Sequence, residues 1–329
     1  MSYYLEAINQ EKNHRRILKN ISLEINDNSI LAILGPSGGG KTTLLNILAR
    51  IDQPSYGKFY SSDNIVPKGI MIFQDYRLFP NMTVFQNIAF GLRVKKKSRS
   101  LINIRCQKIM KTMDIADLAE YYPHELSGGQ QQRVSLARAM ILQPKLLLMD
   151  EPFSSLDENL RLEMLNFVKK IQEKFKMTIV FVTHFKTEAY LLSNQVAILI
   201  DGQIMQKGTP KEIETHPESF AVAKFLGQAN FIPGELDENC FISSIYRGPV
   251  EIKSDSRQLL YIPFSNLITV DKTDYFAFEA VVKEINWIVN ENRLVLNIDQ
   301  VQIQINSNSS QFKIGKSYKF YFKQLPVVF

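Results

Sequence analysis

Ser29-Ile30-Leu31-Ala32-Ile33-Leu34-Gly35-Pro36-Ser37-Gly38-Gly39-Gly40-Lys41-Thr42-Thr43 is the stretch that decides the fold. Residues 29–34 form an apolar run long enough for one buried strand. Residues 35–42 then satisfy G-x-x-x-x-G-K-[ST] where that pattern needs to be, after a strand and before a helix. Residues 43–50 read as the helix, with Leu44, Leu45 and Leu48 facing a core. Glycines let backbone N–H groups turn inward around phosphate oxygens, and the new helix points its positive end at them. Lys41 is expected to reach the β- and γ-phosphates, and the Thr42 hydroxyl to join a Mg²⁺ shell. Gly35, Pro36, Ser37, Gly38, Gly39, Gly40, Lys41, Thr42 and Thr43 are the candidate nucleotide-binding residues of this loop.

Working outward, residues 21–25 alternate as a half-buried strand does, and residues 26–28 supply a turn. Residues 70–73 form a strand that ends at Gln74. Residues 80–125 carry a helical pattern. Leu126-Ser127-Gly128-Gly129-Gln130 precedes a helix over about 131–141, with Ser127 a natural N-cap. Its two glycines allow close backbone approach at a positive helix end, which makes a second anion site. Two such sites in one chain suggest that they meet across a dimer. Residues 145–149 are a continuous apolar strand, as at the centre of a parallel sheet. At its tip Asp150 is placed to hold Mg²⁺ through its water shell, and Glu151 to polarise an attacking water. A helix over about 159–175 and a strand over 178–182 lead to His184. Residues 196–200 and 203–206 read as a hairpin with an Asp201-Gly202 turn.

From Asn230 onward the pattern changes. Short alternating segments at 275–285, 293–298, 301–305 and 318–322 are separated by turn residues, which argues for a small all-β domain, sandwich or barrel-like. A chain of 329 residues favours two domains. Its 45% hydrophobic and 22% charged residues are those of an ordinary globular protein. Cys106 and Cys240 fit no metal or redox spacing and read as free thiols. No apolar run approaches the roughly 20 residues that cross a bilayer, and Met1-Ser2-Tyr3-Tyr4-Leu5-Glu6 lacks the features of a signal peptide. The net charge of +6 is compatible with nucleic acid, an anionic membrane surface or neither. Lys95-Lys96-Lys97-Ser98-Arg99 is most simply a solvated turn.

Taken in order, residues 35–42, Gln74, residues 126–130, residues 149–151 and His184 resemble the cassette of ATP-binding-cassette (ABC) transporters over about residues 1–228. The resemblance implies an α/β P-loop NTPase (ABC ATPase) domain with a helical subdomain at about 80–140. It implies a head-to-tail homodimer, with ATP held between the phosphate loop of one copy and Ser127, Gly128, Gly129 and Gln130 of the other. Ser155-Leu156-Asp157 resembles the D-loop lining that interface, so Asp157 joins the nucleotide-binding candidates. Gln74 resembles the glutamine that senses Mg²⁺ and the water beside the membrane partner's coupling helix, and counts with Thr42 and Asp150 as a metal candidate. Glu151 is implied as general base and His184 as the switch histidine, so Glu151, His184 and Gln74 are the catalytic candidates. Members usually stack adenine on an aromatic ring before the strand at Ile21. Here Lys12-Asn13-His14-Arg15-Arg16 offers none, leaving His14 or an arginine as the flat group.

Residues 74–92 and Phe225-Leu226-Gly227-Gln228-Ala229-Asn230 resemble importer ATPases of the sulfate, molybdate, polyamine, sugar and ferric-iron group. Residues 229–329 then correspond to an OB-like domain of the TOBE type. Tyr122-Pro123-His124-Glu125 and residues 228–234 lean toward ferric iron. The implied partners are a second copy, two integral membrane permease subunits and, indirectly, a solute-binding protein, at the cytoplasmic face of the cell (inner) membrane; no nucleic acid is expected. Two other classes stand beside this reading: a non-catalytic regulatory ABC subunit, against which intact Lys41, Asp150, Glu151 and His184 argue, and a soluble ABC ATPase acting on ribosome or nucleic acid, which usually duplicates the cassette or inserts a long coiled coil. This chain does neither.

Overall fold

A computed structural model describes residues 1–63, 69–238, 240–253, 258–268, 276–288, 291–309, 311–323 and 325–329, with the side chains of Ile268 and Phe276 left aside. It divides into two compact units, Met1–His216 and Pro217–Phe329.

In the first unit, β1 (Tyr3–Lys12) pairs antiparallel with β2 (Arg15–Ile25). Next come β3 (Ile30–Leu34) and α1 (Lys41–Leu48), then β4 (Tyr56–Ser61), which completes a three-stranded sheet in the order β2-β1-β4. After β5 (Ile70–Ile72) the chain is helical through α2 (Val84–Val94), α3 (Arg99–Thr112) and α4 (Gly128–Met140). Residues 84–140 are thus mainly helical. Then β6 (Leu146–Asp150), α5 (Glu158–Phe175), β7 (Thr178–Thr183), α6 (Lys186–Leu192), β8 (Gln195–Ile200), β9 (Gln203–Gly208) and α7 (Pro210–Thr215) complete the unit.

A six-stranded sheet runs β5-β6-β7-β3-β8-β9, parallel except for β9. β3, β6 and β7 are buried at every position, which is why their sequences are continuous apolar runs rather than alternating ones. Leu44, Leu45 and Leu48 of α1 join Leu31, Ile33, Leu148, Val180 and Val182 in one core. The phosphate loop, Gln74, Asp150 and His184 therefore all follow the carboxyl ends of neighbouring parallel strands, the edge at which open α/β sheets bind ligands.

In the second unit α8 (Phe220–Leu226) precedes, among the described residues, a run of strands. One six-stranded sheet contains β10 (Ala229–Asp237), β11 (Cys240–Ser243), β12 (Arg247–Pro249), β13 (Glu251–Ile252) and β14 (Leu259–Pro263). A five-stranded sheet contains β15 (Leu267–Ile268), β16 (Phe276–Ile288), β17 (Glu291–Ile298), β18 (Val301–Ser307) and β19 (Ser317–Phe322), and β20 (Val327–Val328) returns to the first. The expected start of β16 at Tyr275 lies outside the described residues. The division falls ahead of α8, whereas the sequence reading ends its first domain at residue 228. Phe220 and Ala223 of α8 pack with Phe231, Tyr261, Val327 and Phe329, all in the second unit.

Candidate nucleotide site

The loop turns into α1 at Gly40, whose φ of 96° is one that side chains rarely adopt. A Cβ there would also lie 2.9 Å from Leu18 Cδ2 and 3.1 Å from the Ile17 carbonyl. The helix begins at Lys41, two residues before the expected start, because the left-handed glycine ends the loop. Lys41 is 5% exposed and folds back, donating to the carbonyls of Gly35 and Pro36 at 3.0 Å each. Its burial lowers the ammonium pKa from the ordinary lysine value, while Glu151 and Asp150 pull it back up. Ser37 and Gly38 are exposed at the tip of the loop.

Thr42 Oγ1 donates to Asp150 Oδ1 at 3.2 Å. Asp150, the last residue of β6, is buried, and this burial raises its pKa; the Thr42 hydroxyl opposes the shift and Glu151 adds to it. A hydroxyl and a carboxylate oxygen thus converge beside the phosphate loop. Hard oxygen donors of this kind, completed by phosphates and water, suit Mg²⁺. Gln74 is exposed two residues beyond β5, and no hydrogen bond among the described residues ties it to this pair.

Glu151 has a φ of 40°, uncommon for a side-chain-bearing residue, and its N–H donates to the Val182 carbonyl at 3.1 Å. That turn sends its carboxylate toward two basic groups. Oε2 lies 3.1 Å from His184 Nδ1, and Oε1 lies 3.9 Å from Lys41 Nζ. Lys41, Thr42, Asp150, Glu151 and His184 thus form one connected cluster. The His184 ring rests on Phe185, centroids 4.0 Å apart.

Residues 126–130 lie elsewhere. Helix α4 starts at Gly128, not near 131, because Ser127 caps it. Ser127 Oγ accepts from the Gln130 N–H at 3.4 Å, and Gln130 Oε1 accepts from the Ser127 N–H at 2.9 Å. No hydrogen bond or ion pair among the described residues joins Ser127–Gln130 to the phosphate loop. Asp157 caps α5, accepting from the Leu160 N–H at 3.0 Å. The end of the β1–β2 hairpin holds Lys12 against Asp52 at 2.7 Å and Arg16 against Glu11 at 3.0 Å. His14 and Arg15 are left exposed.

Several residues that the motifs did not point to organise the surroundings. Tyr76 is buried, and its hydroxyl meets Ser155 Oγ at 3.0 Å. Arg138 of α4 donates to the carbonyls of Tyr76 and Arg77 at 2.7 Å each. Arg161 and Glu188 sit behind His184. They stand on helices where a charged residue normally reads as solvent-facing, so periodicity gives no sign of them.

Residues 18–154 match the ABC transporter family. Similar curated proteins include the Fe(3+) ions import ATP-binding protein FbpC of Vibrio cholerae, 40% identical over 67% of this chain and 65% of its own length. The spermidine/putrescine import ATP-binding protein PotA of Marinobacter nauticus is 39% identical over 71% of this chain and likewise 65% of its own length. The FbpC of Photorhabdus laumondii is 31% identical over 95% of this chain and 93% of its own length. Among solved structures, cbiO1 from Clostridium perfringens, part of the ABC transporter complex cbiONQ, superposes with a TM-score of 0.61 at 28% identity, over 65% of this chain and 90% of that one. The ATP-binding cassette MJ0796, a dimer in a post-hydrolysis state bound to ADP and Pi, gives 0.56 at 30% identity, over 63% of this chain and 98% of that one. With this fold, the ordered motifs and these relatives, the chain belongs to the ABC transporter family.

Proposed function

We propose that the chain is the ATP-hydrolysing subunit of a membrane ABC importer, acting as a homodimer. The observation that carries this reading is the cluster of Lys41, Thr42, Asp150, Glu151 and His184 at the carboxyl edge of the parallel sheet. In it, residues 35–43 wrap the phosphates with backbone N–H groups, and Lys41 swings from the Gly35 and Pro36 carbonyls onto the β- and γ-phosphates. Thr42 and Asp150, with Gln74 just beyond the neighbouring strand, would hold Mg²⁺, which would neutralise charge on the phosphates. Glu151 takes the proton of the attacking water as its oxygen bonds to the γ-phosphorus and the bond to the ADP oxygen breaks. Such a base is worth typically 10²–10⁴-fold in rate. His184 holds the Glu151 carboxylate in line and contacts the γ-phosphate. Ser127, Gly128, Gly129, Gln130 and Asp157 of the second copy close the site. That no hydrogen bond among the described residues joins Ser127–Gln130 to the phosphate loop of the same chain supports that division of labour, as does the dimeric form of MJ0796.

Two permease subunits are the proposed membrane partners. An apolar cleft of about 670 Å³ beside β5, α2 and the end of α4 supports this; Met71 and Ile72 in its wall lead into Gln74, and Phe90, Val94, Leu142 and Pro144 line it. No helix among the described residues is long and apolar enough to cross a membrane, so the membrane-spanning work falls to those partners. Ferric iron is the proposed solute, since several similar proteins are named for Fe(3+) import. A solute-binding protein would deliver it.

The purified chain should hydrolyse ATP in the presence of Mg²⁺. Glu151→Gln should lower that rate by about 10²-fold or more and accumulate an ATP-bound dimer in size-exclusion chromatography. Wild-type turnover in that variant would remove Glu151 from the role of base. For the solute, cells from which the chain has been deleted should take up less ferric iron and regain uptake when it is restored. Unchanged iron uptake alongside lost uptake of a polyamine or sugar would redirect the assignment.

A further inference from the structure

Behind His184 lies a group of side chains with no part in the chemistry above. Arg161, near the start of α5, donates from Nη2 to the Leu156 carbonyl at 2.9 Å. Its guanidinium carbon lies 4.6 Å from the centre of the Phe185 ring, and Nε is 3.5 Å from Glu188 Oε1. The Glu188 side chain is only 1% exposed. Its Oε2 accepts from the Thr183 hydroxyl at 2.6 Å, and the Thr183 oxygen in turn accepts from the Phe185 N–H at 3.0 Å. Phe185 carries the His184 ring against its own face. One guanidinium thus touches both the segment that ends in Asp157 and the segment that presents His184.

We propose that Arg161 is a positioning residue that holds the Ser155-Leu156-Asp157 loop and the His184 segment in one fixed relation, with Glu188 as its buried counter-charge. The inference rests on the proposed ATPase reading, in which the first loop faces the second copy and His184 holds the base. Arginine is needed for its shape. A planar fork can stack on a ring, donate to a carbonyl and face a carboxylate at the same time, whereas a lysine ammonium is a point charge on a flexible stem. The contacts are unequal. Among the described residues Arg161 Nε and Glu188 Oε1 have no hydrogen-bond partner, so their pair is one of charge at 3.5 Å and not of aligned donor and acceptor. The directional contacts run to Leu156 and Phe185, the two loops themselves. Burial pushes the Glu188 carboxyl up, and the Thr183 hydroxyl and Arg161 draw it back.

A role in stability alone and a role in positioning separate when both charges are removed together. Arg161→Met by itself strands a buried carboxylate and destabilises the fold. Adding Glu188→Gln removes that stranded charge and keeps an acceptor for Thr183. The full-length double variant should unfold close to the wild-type temperature, with KM for ATP within about threefold and kcat lower by at least about tenfold, because only the geometry of the reacting state has been loosened. A folded double variant with kcat within about twofold of wild type overturns the proposal. If the double variant does not fold, Arg161→Lys decides: it keeps a cation beside Glu188 but not the three simultaneous contacts, so kcat should drop about fivefold or more, and an unchanged kcat overturns the proposal. Wild type and Glu151→Gln are assayed alongside. An inactive wild type overturns the ATPase reading and this inference with it, while an active wild type with an unimpaired variant overturns this inference alone.

Discussion

Asp150 shows what the site costs at the scale of one residue. It ends a strand buried at every position, and burial outweighs the help from the Thr42 hydroxyl, Lys41 and Arg77, so its pKa is raised above the ordinary carboxylate value of 3.8. The folded protein therefore holds this proton to a higher pH than the unfolded chain does. Between the unfolded and folded pKa values the folded state binds more protons, and stability falls as pH rises through the folded value. Ionising it in place carries a desolvation penalty, borne by a carboxylate that we propose as a Mg²⁺ ligand. Asp150→Asn should remove the penalty while keeping a partner for Thr42. We expect the metal-free variant to melt above wild type at pH 7. The difference should shrink as pH falls toward the ordinary carboxylate range, and Mg²⁺-dependent hydrolysis should be lost. Differential scanning calorimetry across pH reads the first effect. An Asn variant less stable than wild type at pH 7 would mean that contacts of the charged form outweigh its desolvation.

At the scale of elements, what could be read in the sequence depended on whether burial was one-sided and regular. β3, β6 and β7 are wrapped on both faces, and their apolar runs are unmistakable. The cluster residues at their ends were legible for the same reason, since each follows such a run directly. β1 and β4 were not. The alternation of β1 starts with Tyr3 and Leu5 buried, then slips at Ala7, whose φ is 49°, and resumes with Ile8 and Gln10 buried. The pairing register shifts between Leu5 and Ile8, which marks a bulge and turns the next side chains to the other face. Gly57 of β4 answers it: a Cβ there would lie 2.5 Å from the Ala7 carbonyl. A period of two interrupted in this way does not register as a strand. In the second unit the long hairpin strands β16 to β19 were legible, whereas β13, β15 and β20, two residues each, are defined by partners far along the chain. Arg161 and Glu188 were invisible for a related reason. Each is a charged residue on a helix, and only the approach of α5 to α6 pairs the half-buried arginine with a buried glutamate.

On the scale of the whole molecule, the hydrophobic clusters say where the chain divides. Among the described residues, the core around Leu31, Leu45 and Leu148 draws on buried residues between Tyr3 and Leu199, with Met1 and Ile204 packed against it, and that around Phe241, Leu260, Phe278 and Phe320 on residues between Ile232 and Val328. Each unit therefore buries its own apolar surface, the condition for folding alone. A smaller cluster sets the boundary more finely. Tyr261 and Phe329, both almost fully buried, are capped by Phe220 and Ala223 of α8; the Phe220 ring meets Phe231 edge-on at 5.1 Å, and Tyr261 meets Phe329 at 5.6 Å. Residues 217–329 should thus form a cooperative fragment, whereas residues 229–329, which match the sequence-based boundary, leave those rings uncovered. Removing a buried aromatic side chain usually costs roughly 3–5 kcal/mol, and the shorter fragment loses Phe220 together with the rest of its helix. We expect the longer fragment to melt in a single transition. The shorter one should melt well below it, or bind a hydrophobic dye as a loosely packed state. Equal melting temperatures would mean that α8 adds nothing to the second core, and would return the boundary to residue 228.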